Sequence, residues 1–136
     1  MKKILILPVI AALLLTVSCS KTEMNPESEA KQIISDMTRL FNIAAERLDN
    51  AETGKEVADI LLDLAAEMKE ESDNANKFYA KHPELRMVAA ERFKSENEAF
   101  TMATARLFES LGRVAIRFKG DKDIKAASEK LQEIMQ

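Results

Sequence analysis

The sequence predicts an all-α protein, an antiparallel bundle of three long helices plus a short C-terminal fourth helix. Composition is the first reason: the 136 residues include no Trp, three Gly and three Pro. Ala, Leu, Glu and Lys abound instead, which suits long helices and not a sandwich or barrel. Periodicity is the second, because from Pro26 onward apolar residues recur at steps of three and four and so share one helix face. The third is punctuation, with helix starts and stops written at Asn25-Pro26, Thr53-Gly54, His82-Pro83 and Gly120-Asp121.

The N-terminal element is a signal. Lys2 and Lys3 form a positive n-region, and Ile4 to Leu15 is an apolar run of secretory length. It falls short of the about 20 apolar residues of a membrane-spanning helix. Leu15-Thr16-Val17-Ser18 then precedes Cys19, the only cysteine in the chain. This stretch resembles the lipobox of bacterial lipoproteins, in which small residues lead up to a cysteine that is diacylglycerated and exposed by the type II signal peptidase. Ser18 matches that pattern. Thr16 departs from it, since the family prefers a bulky aliphatic residue three places before the cysteine and Leu15 stands one place too early. An ordinary cleavage site of the A-x-A kind is met only loosely by Thr16-Val17-Ser18.

The resemblance implies a signal peptide over 1–18, a lipidated tether over 19–25 and a helical-bundle domain over 26–136. Lipidation of Cys19 would hold the protein on its membrane without a spanning segment. Each buried methylene is worth about 0.8 kcal/mol, and two or more chains hold where one holds only marginally. Ser20 follows the cysteine, where an aspartate in the resembled family favours inner-membrane retention. The expected address is thus the cell envelope, on the outer membrane of a host that has two.

The first helix is expected from Pro26 to about Asn50. Asn25 can cap free amides, Pro26 loses nothing at the first helical position, and Glu27 and Glu29 oppose the positive end of the dipole. Ile33, Ile34, Met37, Leu40, Phe41, Ala44, Ala45 and Leu48 form its apolar face. Thr53 and Glu56 have capping-box spacing, so a second helix starts there, carrying Val57, Ile60, Leu61, Leu64, Ala65, Met68, Ala75 and Tyr79. Pro83 ends it near His82 and opens a third. That third helix is expected to be the longest, running to Lys119 with Gly112 as a weak point. Gly120-Asp121 breaks the chain, and a short fourth helix carries Ile124, Ala127, Leu131 and Ile134. Tight turns make the three long helices antiparallel neighbours, with the fourth folding onto the end of the third.

Charge narrows the function. The net charge is −3, and loss of Lys2 and Lys3 makes the mature chain more acidic, which argues against a nucleic-acid partner. With Cys19 lipidated, no thiol remains for a disulfide, and stability must come from packing. His82 is the single histidine and sits at a helix boundary, without the Glu-x-x-His pairs or Cys-x-x-Cys-His motif of a metal or haem site. The acidic run Asp63, Glu67, Glu70, Glu71, Asp73 reads as a solvated face, and the six methionines after the signal read as core filler.

Glu71 interrupts the apolar stripe of the second helix, and Glu96 and Asn97 interrupt that of the third. These three are the candidate ligand or polar layer, expected to meet near Met68 if the two helices lie side by side. No cysteine–histidine or serine–histidine–aspartate set exists, and no catalytic residue, metal or cofactor is expected. The chain thus reads as a non-enzymatic interaction or scaffold module, held to the membrane through Cys19 and meeting an envelope protein. The alternative is a periplasmic small-ligand or cation-binding lipoprotein. The body also resembles small all-helical lipoproteins, a likeness that transfers no functional residue.

Overall fold

The computed structural model describes residues 25–135, and among them every regular element is a helix. α1 (Pro26–Asn50), α2 (Gly54–Lys81), α3 (Pro83–Arg92), α4 (Lys94–Arg117) and α5 (Lys122–Met135) follow one another through short turns. The starts are capped as their chemistry demands. Asn25 Oδ1 accepts from the Glu27 amide at 3.0 Å. Thr53 Oγ1 accepts from the Glu56 amide at 3.2 Å while the Glu56 carboxylate accepts from the Thr53 amide at 3.3 Å. Gly120 adopts a φ of 88°, the left-handed turn that ends α4, and Asp121 then accepts from the amides of Asp123 and Ile124 to open α5.

The single helix expected over residues 83–119 is two. α3 stops at Phe93, whose φ of −112° and ψ of 41° leave the helical range, and α4 begins at Lys94. Neither Pro nor Gly forces this break. A continuous helix would carry Glu96 inward on the stripe between Phe93 and Phe100, and burying a carboxylate there is costly. The break lets Glu96 reach Lys31 at 3.2 Å at the edge of α1, and lets Asn97 Nδ2 donate to the Ala89 carbonyl at 2.9 Å, closing the end of α3.

The neighbours also differ from expectation. α4 packs most extensively against α1, and α5 against α2, ahead of the α1–α2 hairpin. Small buried residues explain the choice: Ala44 and Ala45 on α1 and Ala103 and Ser110 on α4 form one thin seam, with Ala58, Ala65 and Ala127 available for the other. α1 and α4 run in the same direction, since Glu27 meets Arg92, Lys31 meets Glu96, and Asp49 meets Arg113. α5 follows α2 likewise. Gly54 lies against Asp121, where an added Cβ would fall 2.1 Å from Asp121 Oδ2, and further along Asp73 shares a groove with Glu133.

Two apolar clusters result. The larger joins Leu40, Phe41, Leu48, Val57, Leu61, Leu64, Leu107, Val114 and Leu131, with the small seam residues between them. Phe41 and Phe100 stack within it, their ring centres 5.3 Å apart. The smaller holds Ala30, Phe78, Leu85 and Phe93 where the start of α1 meets the end of α2 and α3. Phe78, absent from the apolar stripe expected of the second helix, is thus a core residue, while Ala75 and Tyr79 are half-buried. No helix among the described residues is long and apolar enough to cross a membrane.

Candidate functional site

Cys19 and the signal lie outside the described residues. Within them, the three polar-layer candidates do not form one site. Glu71 lines a groove of about 510 Å³ between α1 and α2, beside Glu29, Ile33, Asp36, Asn74 and His82. Glu96 and Asn97 sit instead in the first turns of α4, where both work on the break at Phe93. A hydrogen bond from its own backbone amide, and a second from the Lys31 ammonium, hold the Glu96 carboxyl below the usual carboxylate range. The expected contact of this level with Met68 is replaced by contact with α1, because the alanine seam brings α4 to that helix.

Of the acidic run on α2, Asp63 is tied to a neighbouring helix, and other charged groups outside that run are tied as well. Asp63 accepts from Arg47 of α1 at 2.9 Å. Asp49 receives Arg113 through both carboxylate oxygens, at 2.8 and 3.0 Å, and the same guanidinium donates to the fully buried Ser110 hydroxyl at 3.0 Å. The Arg113 hydrogen bond keeps the Asp49 carboxyl below its ordinary value. Arg117 donates to the Leu48 carbonyl at 3.2 Å, satisfying the end of α1. His82 occupies the joint between α2 and α3, its ring 4.9 Å from that of Phe78 and its Nδ1 3.5 Å from Glu84.

Among the described residues no group of three or more histidine, cysteine or carboxylate side chains is gathered so as to hold a metal ion. No buried side-chain polar atom there lacks a hydrogen-bond partner. Several of the polar groups tie helices together, while Glu71, Glu29 and Asp36 line the groove between α1 and α2.

The surface carries what sequence periodicity overlooked. Met87 is 87% exposed, Met102 73%, Ile116 81% and Phe108 54%. Met37 and Met68 do pack against the core, but Met87 and Met102 are not core filler. Their signal was available in the sequence: both fall off the stripe defined by Leu85, Val88, Phe100, Ala103 and Leu107. No family model, curated protein or solved structure matches the chain.

Proposed function

We propose that the chain is a bacterial lipoprotein, cleaved before Cys19 and held in the cell envelope by lipid on that thiol, with the outer membrane favoured in a host that has two. Its body, read as an antiparallel bundle of the long helices α1, α2 and α4, serves as a non-enzymatic interaction or scaffold module for an envelope protein. One observation supports this reading of the body above the others. Three of the polar candidates are engaged in joining helices, Glu96 with Lys31, Asn97 with Ala89 and Asp63 with Arg47, while large apolar side chains stand on the outside. The alternative of a small-ligand or cation-binding lipoprotein has less support, because Glu71 lines its groove without Glu96 or Asn97.

The anchor is tested by Cys19→Ala. The variant is expected to lose labelled fatty-acid incorporation and to move from the membrane fraction to the soluble one. Incorporation at the original level would sink the proposal.

A further inference from the structure

We propose that the groove between α4 and α5 seats a second copy of this chain, the two molecules packing their α4 helices antiparallel about Phe108. The inference goes beyond the anchor reading and does not depend on it. The groove exists because consecutive helices take different partners: α4 packs on α1 and α5 on α2, so the two stand apart beyond their turn at Gly120. It encloses about 230 Å³, lined by buried Leu61 and by Phe108, Leu111, Ala115, Ile124 and Leu131. Among the described residues no charged side chain lines it, unlike the α1–α2 groove beside Glu71 or the α2–α5 groove beside Asp73. Phe108 stands exposed at its rim, and Ile116 is exposed about two turns further on.

The order of residues around Phe108 suits a copy of itself. Thr101, Ala105, Phe108, Gly112 and Ala115 follow one another at steps of four and three, all exposed and all uncharged. Such steps keep side chains on one line of a helix. Outward from Phe108 the line is nearly the same in both directions, with small residues three and seven places before it and four and seven places after. A second α4 laid antiparallel therefore sets ring beside ring over the mouth of the groove, with small residues facing small ones on either side, and the backbones can draw together. An added methyl group at Gly112 favours the helix of a single chain, and the pair feels it only at concentrations where copies meet.

Charge agrees with that direction. Glu98 lies ten residues before Phe108 and Lys119 eleven after it, and both are exposed. Antiparallel packing brings each level with the other in the second copy, giving two pairs of opposite sign, whereas parallel packing would set like against like. Glu109, the charge nearest the centre, is already paired with Arg113 of its own helix at 3.1 Å. α4 and α5 rise about 36 and 21 Å and are each about 10 Å wide, so two copies cover roughly 1,100 Å² in all, at the lower edge of specific interfaces.

Crosslinking in cells that express the full chain tests this, with the parent chain as background. Phe108→Cys is expected to give a disulfide-linked dimer under mild oxidation, several-fold above that background. When differently tagged Glu98→Cys and Lys119→Cys chains are expressed together, a short bis-maleimide should join one of each. Glu98→Cys alone should give little, since like positions lie about 30 Å apart in the antiparallel pair. Glu98→Lys and Lys119→Glu should each cut the Phe108→Cys dimer several-fold, and the two together should restore it. Absence of the mixed product, or joining of Glu98→Cys to itself in its place, overturns the antiparallel pair. So does a Phe108→Cys yield at the parent's level in a chain of unchanged helical circular dichroism. A disulfide dimer of the parent itself would come from a free Cys19 and would sink the anchor alone, the pair then being read in a Cys19→Ser background.

Discussion

The two ends of the bundle are built differently. At the α5 end, four helices share a continuous cluster, and alanines allow α1 against α4 and α2 against α5 to approach closely. At the α3 end, three buried residues from α1, α2 and α3, joined by Phe93 at the α3–α4 break, close the structure, and the polar pair Glu96 and Asn97 stabilises that break. The first end is held by area removed from water. The second depends on a few large side chains and on where their helices stop.

The sharpest way to break this comparison is to cut one large residue from each end. Leu61→Ala should lower the global free energy of unfolding by about 3 kcal/mol, from lost transfer energy plus the cavity left behind. Phe93→Ala removes more atoms, yet the thin cluster can open by itself, so the global loss should be nearer 1–2 kcal/mol with a local cost in α3. Urea denaturation measures the first quantity and amide exchange the second. Equal global losses, with α3 amides still protected, would show a single cooperative core.

The next effect is at the joint of α2 and α5. Gly54→Ala places a methyl group against the Asp121 carboxylate, which must swing away and give up its cap on α5. A loss of about 1 kcal/mol is expected, the usual value of such a cap. A Gly54→Ala protein as stable as the parent in thermal melts would mean that Asp121 moves without cost.

Acid should weaken both ends. Asp49 at the α5 end and Glu96 at the α3 end have carboxyl groups held low in the folded state, Asp49 chiefly by Arg113 and Glu96 chiefly by its own amide. A depressed carboxyl contributes fully above its unfolded value of about 4 and loses that contribution as pH falls through the lower folded value. Stability is therefore expected to drop below about pH 4, and Asp49→Asn should flatten part of that acid limb in a pH series of melts. An unchanged limb would remove Asp49 from the account.

The smallest effect should be a gain. Gly112 lies mid-helix on the exposed side of α4, and an added Cβ there meets nothing within 4 Å. Gly112→Ala should raise stability by about 0.5–1 kcal/mol. Any loss would mean that this face is already in contact with something in solution.

Much of the architecture was legible because helix ends are written locally. Asn25, Thr53 with Glu56, and Asp121 each accept from amides two or three residues away, and Pro83 restricts the backbone of the residue before it, so a linear reading can find all four marks. The break at Phe93 was marked too, by Glu96 and Asn97 on an apolar stripe, but the same mark also fits a buried polar layer. Choosing between those meanings requires knowing that Lys31 and the Ala89 carbonyl wait nearby. Partner choice was less legible still. An amphipathic pattern shows which face of a helix is buried and is silent on what covers it, and here the matching of alanines across α1 and α4 decides. The candidate site divided for the same reason, with Glu71 left on the α1–α2 groove once α4 had gone to α1.

The parallel run of α1 beside α4 also sets an order of events. Asp49 and Arg113 are 64 residues apart in sequence, and Glu27 and Arg92 are 65 apart. A chain that emerges N-terminus first can form the α1–α2 hairpin early, yet the alanine seam of α1 has no cover until α4 has followed. Contacts so distant make closure slow for a helical protein. For most of its emergence the chain carries a half-finished face, and a chaperone or translocation partner would meet α1 before α4 does.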